Sequence, residues 1–185
     1  MQWRNSRDRW GAAHKALHWT MAALILALLG VGFVMANLLP DSAWQLKLSV
    51  YQWHKAGGLL ALALVAGRLV WRGIGGPVPG YPAGAPAWQR RTAALAHVAL
   101  YAAMIAMPAT GYLMASASSF PVLTWTALPD PLGQDERLEA LFGRAHMVLG
   151  LVFAGLIALH GSAALKHHLV DRQDVLKRML PGRRP

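Results

Sequence analysis

Apolar side chains fall into four long blocks, at about 16–39, 51–71, 92–115 and 145–167. Between them collect polar residues, prolines and glycines. A helix rising about 1.5 Å per residue needs roughly 20 such residues to cross a hydrocarbon layer of about 30 Å. Each block meets that length. From 19 to 39 the first carries no charge, and the fourth is uncharged between Arg144 and Lys166. The second holds Lys55 near one end and Arg68 near the other, while the third contains Pro108. A membrane helix absorbs such a proline as a kink. The pattern predicts an all-α membrane protein: one domain over 1–185, folded as a four-transmembrane-helix bundle in lipid.

The connections differ in kind. Residues 73–86 are rich in Pro and Gly and predict a loop. The stretch 41–53 carries Trp44, Leu48, Tyr51 and Trp53, which suits a short interfacial segment. A longer loop follows the third block and holds Asp130, Asp135, Glu136 and Glu139. Its end, 135–144, has helical character and is expected to extend the fourth span. The amino terminus is basic, but the first apolar block is longer than the core of a signal peptide, so it is expected to remain in the protein.

Charge sets an expected orientation. Lys47, Lys55, Arg137 and Arg144 fall on one side of such a bundle. The other fourteen of the eighteen basic residues, Arg183 and Arg184 among them, fall opposite. The positive-inside rule then puts both termini and the second loop in the cytoplasm. The net charge of +10 does not indicate nucleic acid, because the basic residues flank apolar blocks instead of lining one soluble face. The absence of cysteine excludes disulfides, thiolate-held iron–sulfur clusters and covalently attached haem. A redox centre would have to be held by other side chains.

Histidine is the candidate. An ionisable residue inside a bilayer is costly, and a functional role is the default reading. His18 and His54 lie at opposite ends of the first two spans, and the fourth span carries His146 and His160. The last two are fourteen residues apart, about 21 Å along a helix and close to four whole turns, so they share a face. In an antiparallel bundle His18 matches the depth of His160, and His54 that of His146. Each pair offers two imidazoles from different helices and leaves an equatorial plane free, which a porphyrin fills. Zinc would want more protein ligands, and no Asp or Glu lies within a span. The expected cofactors are therefore two haem b groups.

Other residues are placed by spacing. Gly32 reaches the level of the outer pair, and Gly57 and Gly58 follow His54; these either make room for a flat ring or let helices approach. Arg68, fourteen residues after His54, falls at the depth of the inner pair. It either pairs with a haem propionate or snorkels to the interface. Lys55 and Arg144 stand in the corresponding place at the outer pair. His97 is an alternative ligand, or a partner for a propionate or quinone. His14 and His167 flank His18 and His160 along their helices and are candidates to line a quinone pocket.

The combination of Leu17-His18-Trp19, His54 followed by Gly57-Gly58, Arg68-Leu69-Val70-Trp71-Arg72, the run from His97 through Tyr101 and Pro108 to Gly111, and the His146/His160 pair resembles the bacterial cytochrome b561 family. It is similar as well to the cytochrome b subunits of nickel–iron hydrogenases and formate dehydrogenases. The resemblance covers nearly the whole chain. It implies a multi-pass di-haem protein of the bacterial inner membrane with His18, His54, His146 and His160 as axial ligands to haem iron, exchanging electrons with ubiquinone. Two roles remain open at this point. One is a standalone oxidoreductase, taking electrons from superoxide or from a redox partner protein. The other is a membrane anchor for a hydrogenase or dehydrogenase. A divalent-metal transporter is disfavoured, because the acids sit only in loops and tails.

Overall fold

The computed structural model of the protein describes residues 2–81 and 84–180; Arg183 and Arg184 lie outside them. Four helices follow in order: α1 (Ala12–Asn37), α2 (Trp44–Ile74), α3 (Ala87–Ala117) and α4 (Glu136–Leu169). A single 3-10 turn, Asp41–Ala43, leads into α2, and the described residues contain no strand. All four helices are long and apolar enough to cross a membrane. The fold is therefore an all-helical bundle of four candidate spans.

The helix ends follow from local chemistry. α2 begins at Trp44, so most of the stretch expected as a separate interfacial segment is instead its first turns. No Pro or Gly stands between 44 and 56 to stop the helix. α4 starts where the Asp135 carboxylate accepts hydrogen bonds from the backbone N–H of Arg137 (2.9 Å) and Leu138 (3.0 Å). Glu136 and Glu139 occupy its first turn and Lys166, His167 and His168 its last, each complementing the helix dipole. Within α3, Pro108 supplies no N–H to the turn before it. Two residues further on, the Thr110 hydroxyl donates to the Ala106 and Met107 carbonyls, both at 2.9 Å.

Packing follows the chain. α1 lies against α2, α2 against α3, and most extensively α3 against α4, whereas α4 has no extensive backbone approach to α1 or α2. Side chains join all four helices at mid-height. Phe153, the only buried residue of α4, meets Met21 of α1, Val65 of α2, and Ala103 and Met104 of α3. The exterior is apolar. Leu151 is 71% exposed, Leu95 68% and Phe33 61%, while His14, Gln52 and Ser116 are buried. That inversion fits a lipid solvent, which removes the reason to hide apolar side chains but not the reason to hide polar ones.

Both ends are closed by loops. At the end holding the termini, Asn5 is buried, its N–H donates to the Gly75 carbonyl (2.8 Å), and its side-chain oxygen accepts from Gly11 N–H (2.9 Å). Gly76 sits there at φ +100°, and a Cβ on it would come 2.7 Å from the Asn5 carbonyl oxygen, so only glycine fits. Trp19 and Lys15 of α1 donate to the Met179 and Leu180 carbonyls at 2.8 and 3.0 Å, tying down the carboxy-terminal segment. At the other end the loop between α3 and α4 crosses to α2, where Gln52 accepts from Thr124 N–H (2.9 Å) and Lys55 donates to the Pro121 carbonyl (3.4 Å).

Candidate metal-binding site

The gap that α4 leaves towards α1 and α2 is where the histidines meet. His18 of α1 faces His160 of α4 with ring centroids 6.3 Å apart. His54 of α2 faces His146 of α4, also with centroids 6.3 Å apart. Imidazole nitrogens bind metals at about 2.0–2.1 Å, so two imidazoles on opposite sides of one metal have ring centres roughly 6 Å apart. Both pairs have the spacing of a shared metal with its equatorial plane open. Among the described residues no group of three or more His, Cys, Asp or Glu forms a cage for a bare ion. The Phe153 layer lies between the two pairs, seven residues from each histidine of α4.

The His54–His146 site is the more sharply built. The His146 Nδ1–H donates to the Met107 carbonyl at 3.0 Å, which leaves Nε2 free to bind a metal. Nδ1 of His54 is buried without a hydrogen-bond partner. Met21, Ile25, Leu28, Leu29, Gly58, Ala61, Met104, Met107, Pro108 and Phe153 line the rest of the cavity. Its volume is about 60 Å³, so admitting a macrocycle requires the flexible Met and Leu side chains to part.

The glycines divide between the two roles open in the sequence. Gly58 lines the cavity, and a Cβ there would meet nothing within 4 Å. A Cβ on Gly57 would instead come 2.7 Å from Leu28 Cδ2, which makes Gly57 a contact between α1 and α2. Gly32 does reach the outer level, but what it leaves room for is the His54 imidazole, 3.3 Å from its would-be Cβ. Gly111 does the same for His146 more tightly, with a would-be Cβ 2.9 Å from Cε1 and 3.2 Å from Nδ1. The sequence offered no sign of that second role, because the contact depends on the register of α3 against α4.

At the other pair, Arg68 places Nη2 3.3 Å from His18 Nδ1. His97 of α3 lies with its ring centroid 5.5 Å from that of His160, edge to face. Since α3 and α4 pack directly on each other, that approach leaves less room for a flat group than the wider gap between α1 and α4. His14 is buried and stacked on Trp10, centroids 4.0 Å apart. His167 is turned to Asp171, with Nδ1 2.7 Å from its carboxylate. Lys166 and His167 together hold that carboxyl below the usual carboxylate range through their hydrogen bonds. Arg144, expected near the outer pair, has no hydrogen bond or ion pair among the described residues, and Lys55 serves the loop instead. Tyr101, which the sequence indicated only as part of a motif, stands one turn beyond His97 with its hydroxyl buried and unpartnered.

Comparison with known proteins supplies the last observation. Residues 9–182 match the family described as prokaryotic cytochrome b561. Two proteins of Escherichia coli K12 are similar over nearly their whole length. Cytochrome b561 homolog 2 is 32% identical over 97% of this chain and 95% of its own. Cytochrome b561 homolog 1 is 28% identical over 96% of this chain and 99% of its own.

Proposed function

The chain belongs to the prokaryotic cytochrome b561 family, a multi-pass bacterial membrane electron carrier with b-type haem, and from that premise we propose that it holds two haems and exchanges electrons with ubiquinone in the inner membrane. The observation that carries the reading is the repeated 6.3 Å spacing of two histidine pairs on one helix face, one pair on each side of the Phe153 layer. His18 and His160 hold one haem and His54 and His146 the other. Bound haem supplies one-electron oxidation and reduction at its iron.

The residues around each pair do the rest. The Met107 carbonyl fixes the tautomer and orientation of His146. Phe153, Met104 and Met21 exclude water between the sites. With the termini in the cytoplasm, His14, His97 and His167 line the approach to the inner pair, where they offer hydrogen bonds to a quinone headgroup. At the outer pair Lys55 and Arg144 provide positive charge, which favours an anionic reductant such as superoxide.

Two measurements test this. Acidified acetone should extract all pigment, and quantitation should return two haems per chain; a value of one would overturn the two-site reading. His97→Leu and His167→Leu should keep both haem spectra while slowing reoxidation by a soluble quinone. Loss of a hydrogen bond to a neutral headgroup, at about 0.5–1.5 kcal/mol, corresponds to a roughly two- to tenfold slowing. Unchanged rates in both variants would place the quinone elsewhere. A missing haem in His97→Leu would make His97 a ligand.

A further inference from the structure

Two guanidinium groups converge on one aromatic ring at the end of the bundle that holds the termini. The Arg68 guanidinium carbon lies 5.5 Å from the Tyr101 ring centroid and that of Arg72 5.8 Å. Among the described residues the Tyr101 hydroxyl and Arg68 Nε are both buried without a hydrogen-bond partner. Neither arginine has a salt bridge among the described residues, and α1, α2 and α3 contain no Asp or Glu. The carboxylates nearest in sequence to the end of α4 are engaged, Asp171 by Lys166 and His167 and Asp174 by Lys177. Arg68 is half-buried and Arg72 exposed at the edge of the bundle; the half-buried guanidinium beside a buried, unpaired hydroxyl is unfavourable unless a group with acceptor oxygens joins them.

The one side-chain hydrogen bond Arg68 makes among the described residues is conditional. It contacts Nδ1 of His18 at 3.3 Å, which requires that nitrogen to be an acceptor. A neutral histidine that binds metal through Nε2 carries its proton on Nδ1, and then two donors face each other. Ligation by His18 therefore releases Arg68 towards a different acceptor.

We propose that Arg68, Arg72 and Tyr101 form a carboxylate-binding site, and that its occupant is a propionate of the haem held between His18 and His160. The proposal rests on the haem reading above. A quinone carbonyl would satisfy the hydroxyl but leave the half-buried Arg68 guanidinium uncompensated, so a carboxylate, which Arg72 can also reach from the exposed edge, fits better. The site also distinguishes the two haems. Its two guanidinium groups and one hydroxyl converge at the His18–His160 end, and positive charge around a propionate favours the reduced iron.

The experiment uses the intact protein, carrying haem labelled with ¹³C in its propionate carboxyls by growth on labelled 5-aminolevulinate. Redox-difference infrared spectra and midpoint potentials are compared for wild type, Tyr101→Phe and Arg72→Leu. In both variants the labelled carboxylate band of one haem should shift. The midpoint of that haem should fall, because an unpaired propionate stabilises the oxidised iron. A tenfold change in its reduction equilibrium would appear as about 59 mV, and the other haem should not move. Labelled bands unchanged in both variants, with both haem spectra intact, would overturn the proposal. A shift confined to quinone bands would overturn it in favour of a quinone site. If Tyr101→Phe fails to assemble, Arg72→Leu decides alone. A wild type lacking the haem between His18 and His160 would instead sink the reading beneath the proposal.

Discussion

His146→Ala is expected to yield a folded protein with one haem in place of two. The imidazole comes from α4, and among the residues lining the cavity His54 is the only other one with an imidazole, so no second nitrogen ligand stands ready to replace it. His54→Ala should remove the same haem, because the two rings face each other at 6.3 Å. His18→Ala and His160→Ala should remove the other, and each double variant within a pair should look like its single variants. The pairing is what the experiment reads. Haem content and the low-temperature α-band of all four single variants decide it. If His146→Ala retains two haems, or if His18→Ala and His54→Ala remove the same one, the assignment falls.

Gly111→Ala should be nearly as damaging, although it adds a single methyl group far from any charge. Its Cβ would lie 2.9 Å from Cε1 and 3.2 Å from Nδ1 of His146. That ring cannot easily turn aside, since its Nδ1–H is bonded to the Met107 carbonyl at 3.0 Å, one turn away on the same helix as Gly111. Nor can the backbones part cheaply, because α3 and α4 form the most extensive helix contact in the bundle. Overpacking of this kind costs about 1–3 kcal/mol, and here it is directed at a ligand orientation. The expected result is loss or strong disturbance of the haem between His54 and His146, with the other intact. Two neighbours serve as controls. Gly32→Ala presses His54 less, at 3.3 Å, and should shift the spectrum without emptying the site. Gly57→Ala meets only the tip of Leu28 at 2.7 Å, which can rotate, so it should lower thermal stability and keep both haems. Two unperturbed haems in Gly111→Ala would refute this account of the site.

The sequence exposed most of this design because two periodicities are rigid. A hydrocarbon layer requires about 20 apolar residues per crossing, so the four spans stand out without any knowledge of packing. A helix returns to the same face after fourteen residues, so His146 and His160 announce a pair of levels, and antiparallel neighbours supply His18 and His54 at those levels. Helix ends were less legible. Nothing in hydropathy marks where a helix stops once it leaves lipid, and α2 runs on through Trp44 because no Pro or Gly interrupts it.

The apolar pattern and the histidine spacing thus determined a bundle of four candidate membrane spans with histidines paired at two levels, since both follow from transfer energies and helix geometry along one chain. Only the tertiary structure decided which glycine serves which purpose, because Gly57 against Leu28 and Gly111 against His146 depend on how neighbouring helices are rotated and offset. It alone turned His167 to Asp171 and brought Arg68, Arg72 and Tyr101 together. Side chains from separate helices acquire a distance only when the helices pack, and that relation is not written in the spacing of either one.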